Sequence, residues 1–186
     1  MPDCIVLSAS PSVSSRTLKI AHFVSERLEA LGLATSLIDV RLLPAADLIL
    51  ANTSASDIAK ALSLVESART LVIASPVYKA AYSGLLKVFL DLLPQYGLRG
   101  KVVFPLLTGA SPAHVLAIDY ALRPMLCSMD PLQVLPGLYI IDKQVEHSAD
   151  GRLRLPEEIS GKLDSSLRIL AGWPPAASSS VIAVAQ

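Results

Sequence analysis

Apolar and polar positions follow two rhythms along this chain. Residues 4–8, CIVLS, form a short apolar run that predicts a buried strand. From Thr17 the residues Leu18, Ile20, Ala21, Val24, Leu28 and Leu31 recur at helical spacing, and Gly32 marks the stop. ATSLIDV (34–40) predicts a second strand. Asn52 to Ser56 offer N-cap candidates for a helix over Ile58 to Ala68. TLVIAS (70–75) predicts a third buried strand, followed by the loop SPVYKAAYSG (75–84). A helix is expected over Leu85 to Leu93, with Pro94 ending it. KVVFPLLT (101–108) predicts a fourth strand, Pro112 to Met129 a helix, QVLPGLYIID (133–142) a fifth strand, and Pro156 to Leu170 a last helix.

Buried strands alternating with helices imply a parallel sheet covered on both faces. The expected fold is α/β: a flavodoxin-like three-layer sandwich with a five-stranded parallel sheet in the order 2-1-3-4-5. One domain is expected over residues 1–172. The low-complexity stretch at 173–186, after Trp173 mostly PPAASSSVIAVAQ, is expected to be a flexible tail.

Composition sharpens this picture. The 186 residues are 52% hydrophobic and 17% charged, below the ~25% charge of an average soluble domain. Much buried surface is expected, some of it between subunits. The uncharged run Val102 to Ile118 holds Pro105, Gly109, Pro112 and His114, so no membrane span is expected. The opening Met-Pro-Asp-Cys lacks a basic secretion region, and a cytoplasmic protein is expected. Zero net charge and no basic run argue against nucleic acid as the main partner. Cys4 and Cys127 are both expected in the core. The histidines are scattered, and no metal site is expected.

In the order 2-1-3-4-5, strands 1 and 3 are neighbours whose helices leave to opposite faces. A crevice opens above their carboxyl ends. The loops there are 8–17 and 75–84. The first carries Ser8, Ser10, Ser12, Ser14, Ser15, Arg16 and Thr17 into a helix N-terminus. Hydroxyls, backbone N–H groups, a helix dipole and a guanidinium suit a phosphate monoester. No Gly-Lys-Ser/Thr ends this loop, and no glycine precedes Gly32, which excludes a P-loop and a dinucleotide fingerprint. A low-molecular-weight phosphatase would need a cysteine at the end of strand 1. Cys4 is at its start, and Ser10 stands where the arginine belongs. The loop is therefore built to hold phosphate, not to attack it. The second loop offers Tyr78 and Tyr82 to wall a flat heterocycle, and Ser75 and Ser83 to donate to it. A third loop, TGASPAH (108–114), brings small residues to the same edge. The three loops together point to FMN.

The segments SPVYKAAYSGLLKVFLDLLP and GKVVFPLLTGASPAHVLAIDYALRPML resemble the NADPH-dependent FMN reductases. The nearest kind is the reductase of bacterial two-component alkanesulfonate monooxygenases. The resemblance spans roughly residues 4–170. It implies that Ser10, Ser15, Arg16 and Thr17 bind the FMN phosphate. It also implies that Pro76, Val77, Tyr78 and Lys79, with Thr108, Gly109, Ala110 and Ser111, hold the isoalloxazine. Ala9 and Ala110 depart from the glycines common in the family, each adding a methyl near the flavin.

AIDYALRPML reads as helix on both sides of Pro124, which cannot donate to the carbonyl of Tyr120. A π-bulge is the expected result. The resemblance implies that Tyr120 lies on such a bulge at a tetramer interface and tunes flavin transfer.

Hydride transfer from a nicotinamide to flavin needs no protein acid or base, so no obligatory catalytic residue is expected. Asp119 and His114 are weaker candidates, and Lys79 is a candidate for facing the flavin or the nicotinamide's phosphate. The expected activity is NADPH-dependent reduction of FMN, with NADH as a possible donor. Reduced FMN would pass to a flavin-dependent monooxygenase that desulfonates alkanesulfonates for sulfur acquisition. A homo-oligomer, a tetramer built as a dimer of dimers, is implied by the resemblance. Two rivals stay open: a quinone or azo reductase with tightly bound FMN, and a flavodoxin-like electron carrier. Zero net charge counts against the carrier.

Overall fold

The computed structural model describes residues 2–147 and 153–173. The expected tail lies outside the described residues from 174 onward.

β1 (Cys4–Ser8) lies between β2 (Thr35–Asp39) and β3 (Thr70–Tyr78), parallel to both. A short β4 (Ala81–Tyr82) folds back antiparallel on the end of β3. β5 (Val102–Gly109) pairs in parallel with the other side of β3. Beyond β5 stand β6 (Gln133–Val134) and β7 (Leu138–Ile141), both parallel to it. Read as five through-strands, this is the expected flavodoxin-like order 2-1-3-4-5. The sheet nevertheless has 7 strands rather than five, because β4 is added and the fifth strand is broken in two.

The break has a cause in β5. Pro105 sits mid-strand and has no N–H to give to a partner. β5 pairs with β6 only at Val102 and Val103, and with β7 from Leu106 onward. The proline faces the gap. Gly137 fills it: a Cβ there would lie 2.4 Å from Cγ2 of Ile118. Arg123 donates to the carbonyls of Val134 and Leu135 at 3.0 and 3.1 Å, which pairs acceptors at the broken ladder.

Alternate strand residues face opposite layers. Cys4, Val6, Val72 and Phe104 pack against α1 (Arg16–Ala30) and α6 (Glu157–Ala171). Ile5, Leu7, Ile73 and Leu107 pack on the other side. That side holds α2 (Ala45–Ile49), α3 (Ser56–Ser67), α4 (Gly84–Leu90) and α5 (Arg123–Cys127). The three-layer sandwich is therefore as expected.

Several boundaries differ from the sequence reading. β3 runs on to Tyr78, so Pro76, Val77 and Tyr78 are strand residues and not loop. The N-cap of α3 is Ala55, and no side chain caps it. α2 and the small antiparallel pair β8 (Glu146–His147) and β9 (Leu153–Arg154) had no clear periodic signal. Residues 112–129 are not one helix. They form a 3-10 turn (Pro112–His114), a π-helical turn (Ile118–Leu122) and α5. The π turn contains Tyr120, as the proline predicted; the Arg123 N–H reaches back to the Ile118 carbonyl. Cys4 is buried, and burial pushes its thiol up to about 11. Cys127 is exposed, against expectation, because it falls on the outer side of α5.

No helix among the described residues is long and apolar enough to cross a membrane. No cluster of His, Cys, Asp and Glu among them has the makings of a metal site.

Candidate FMN site

A cleft of about 300 Å³ opens at the carboxyl edge of β1, β3 and β5, where the topology predicts it. One wall is the segment leading into α1. Ser15 is the N-cap of that helix, its Oγ accepting from Leu18 N at 3.0 Å. Arg16 and Thr17 are the first two residues of the helix, where backbone N–H groups have no intrahelical acceptor, and both residues line the cleft. Ser10 Oγ accepts from Ser12 N at 3.3 Å, which curls the loop. Ser10, Ser12, Ser14, Ser15, Arg16 and Thr17 all line the cleft. Ser8 does not: it closes β1, and its buried hydroxyl has no partner.

The second wall is the end of β3, with Pro76, Val77 and Tyr78. Tyr78 is 47% exposed. The third is the end of β5, with Thr108, Gly109 and Ala110. Thr17 and Thr108 share a hydrogen bond of 2.7 Å, so the first and third walls are tied at their base. Behind Gly109 stands Tyr139, whose hydroxyl donates to the Ser111 carbonyl at 2.8 Å. A Cβ on Gly109 would lie 2.2 Å from that hydroxyl. Gly109 is thus demanded by the tyrosine behind it. Burial, and then the charge of Asp142, raises the Tyr139 phenol above its ordinary value.

Five expected residues do not line the cleft: Ser75, Lys79, Tyr82, Ser83 and Ser111. Tyr82, in β4, pairs with Val77 and packs against the core instead of walling the ring. Lys79 and Ala80 are the central residues of the tight turn between β3 and β4, with φ of 50° and 63°. Both angles are positive, as a type I′ hairpin turn requires. Ser83 caps α4, accepting from Leu86 N at 3.1 Å and donating to the Ala9 carbonyl at 2.6 Å. Ser75 accepts from Ser83 N at 2.9 Å and donates to the Pro76 carbonyl. The serines expected to donate to the ring instead clamp the β3–α4 connection to the first loop. Ser111 caps the 3-10 turn that follows.

Asp142 completes the lining and was not foreseen. It follows β7, and the pairing of Gly109 with Ile141 delivers it to this edge. Its carboxylate lies 3.5 Å from the Arg16 guanidinium. The donor set suits a phosphate monoester: hydroxyls, free N–H groups at a helix start, and one guanidinium. The tyrosine and the small residues opposite suit a flat ring.

A second hollow, of about 500 Å³, lies at the opposite edge and contains Lys101. That ammonium donates to the carbonyls of Glu66 and Ala68, so it closes the end of α3. Burial lowers its pKa.

The model of the family described as NADPH-dependent FMN reductase matches residues 2–146. The chain belongs to that family. It is 39% identical over 141 residues to an FMN reductase (NADPH) of Escherichia coli, covering 76% of this chain and 74% of that one. It is 34% identical over 142 residues to the NADH-dependent FMN reductase SfnF of Pseudomonas putida, covering 73% and 75%. Among solved structures, the apo form of an NADH:FMN oxidoreductase (EMOB) superposes with a TM-score of 0.85 at 32% identity, over 96% of this chain and 93% of that one. The protein is an NAD(P)H-dependent FMN reductase, an oxidoreductase that uses FMN and a nicotinamide nucleotide.

Proposed function

We propose that this reductase takes up FMN in the carboxyl-edge cleft, reduces it with NAD(P)H, and releases it to a flavin-dependent monooxygenase. The observation that carries the reading is the convergence of a hydroxyl-rich helix start, the Pro76–Tyr78 strand end and the Thr108–Ala110 segment in one cleft. Bound FMN supplies the chemistry, accepting a hydride from the nicotinamide. Ser10, Ser12 and Ser14, with the N–H groups of Arg16 and Thr17, hold the phosphate. Ser15 acts by fixing the helix start that presents those groups. Val77 and Tyr78 wall one side of the ring. Thr108, Gly109 and Ala110 let it approach the backbone on the other. Lys79 and Ser83 set the shape of the hairpin and do not touch the flavin.

Release is supported by the π turn. It lies against β4, the arm of the hairpin that extends the cleft wall, and carries Tyr120 at 79% exposure. An exposed aromatic on an irregular turn suits a contact that forms and breaks. Val115 and Leu116 extend the same apolar patch, which suits a contact with further copies of the chain in a tetramer. The sulfonate role of the monooxygenase rests on the resemblance of the SPVYKAAYSG and DYALRP segments.

The test is steady-state NADPH oxidation in air by flavin-stripped protein, with FMN varied from zero. The rate is expected to be near zero without FMN and to saturate as FMN is added. If FMN binds once and turnover then needs a quinone or a dye, the release reading fails. If FMN binds and NADPH is never oxidised, the reductase reading fails.

A further inference from the structure

We propose that Asp142 sets how loosely this reductase holds FMN, by competing with the flavin phosphate for Arg16. The inference rests on reading the cleft as an FMN site. Among the described residues, Arg16 and Asp142 are the only charged ones lining it, and their charges cancel. The pair is 3.5 Å apart at a cleft mouth, with side-chain exposures of 57% and 27%. Such a pair adds little to fold stability. Its effect falls on whatever anion arrives between the two groups.

The partners are not equally free. Asp142 is held by its framework. β7 is paired to β5 up to Ile141, Ile141 N donates to Gln144 Oε1 at 3.0 Å, and Val145 N donates to the Asp142 carbonyl at 3.3 Å. Arg16 stands at the first position of α1, and Asp142 is its one ion-pair partner among the described residues. An incoming phosphate, carrying about −1.5 to −2 charges at neutral pH, must take the guanidinium from a carboxylate whose backbone is anchored at the cleft edge. The same carboxylate repels it. The remaining donors are neutral hydroxyls and backbone N–H groups. Together they orient a phosphate without the net positive charge that would trap it. Asp142 is in this sense a positioning residue, acting through Arg16.

The experiment is a fluorescence-quenching titration of wild type and Asp142→Asn with FMN and with riboflavin, which has the ring without the phosphate. Each titration is run at low and at high salt, and Asp142→Ala serves as a second variant. Freeing one charge-assisted contact is expected to tighten FMN by about tenfold at low salt. The gain shrinks at high salt, and riboflavin affinity stays as in wild type. Unchanged or weaker FMN binding in both variants overturns the proposal. So does an equal shift for riboflavin, which would place the effect on the ring. If wild type itself binds neither FMN nor riboflavin, the reading of the cleft fails instead, and the two failures are distinct.

Discussion

At the scale of single residues, the cleft is governed by groups that stand just behind its surface. Gly109 has no room for a side chain because the Tyr139 hydroxyl occupies the space. Gly109→Ala is expected to cost about 1–3 kcal/mol of stability as the crowded tyrosine is displaced. FMN affinity should fall with it. Adding Tyr139→Phe removes the clashing oxygen and should restore part of both. Thermal unfolding and flavin titration of the two variants check this, and a single variant as stable as wild type would contradict it. The thiols give a second residue-level test. Cys4 is buried with its pKa raised, while Cys127 is exposed. One thiol per chain should react rapidly with a disulfide reagent in native protein, and a second only on unfolding. Two rapid thiols would contradict the packing of β1. The serines of the first loop were readable from sequence because a helix start and a run of hydroxyls are local signals. Asp142 was not. Its meeting with Arg16 depends on β7 lying beside β5, a contact between distant parts of the chain.

Elements with one dominant period were legible, and those set by competing local rules were not. β1 and α1 follow from apolar spacing, and Ser15 and Gly32 bound the helix as such residues do. The fifth strand falls in sequence within 133–142, a segment that Pro136 and Gly137 interrupt. It breaks because Pro105 in its neighbour cannot donate, and because Ile118 claims the space at Gly137. The π turn was foreseen from Pro124, since a missing donor inside a helix is visible in one letter. The turn at Lys79 and Ala80 was not, because the usual Asn-Gly signal is absent. Two residues with side chains sit there at positive φ. The left-handed conformation costs roughly 1–2 kcal/mol per such residue, against about 0.5–1 for the freedom of glycine. Ala80→Gly is therefore expected to stabilise the protein by about 0.5–1 kcal/mol, the difference of those two costs. Denaturant titration checks it, and a destabilised variant would show that the Ala80 methyl makes a contact worth more than the strain.

At the scale of the whole molecule, the apolar excess of the sequence is partly spent on surface. Val115, Leu116 and Tyr120 form an exposed patch around the π turn. The proposed contact with a second copy through this patch would put a subunit interface beside the cleft hairpin. Tyr120→Glu should lower the assembled mass measured by sedimentation, because a carboxylate would be stripped of water in that contact. A mass unchanged from an oligomeric wild type, or a monomeric wild type, would contradict this placement. Whether FMN leaves the cleft is tested most directly by following the flavin itself. Protein saturated with FMN, at a ratio set by fluorescence quenching, is passed through a gel-filtration column. Flavin is expected to bind, to emerge separately from the protein, and to restore NADPH oxidation when added back. Flavin that stays with the protein through the column, with no gain in rate from added FMN, would contradict it and make FMN a fixed prosthetic group.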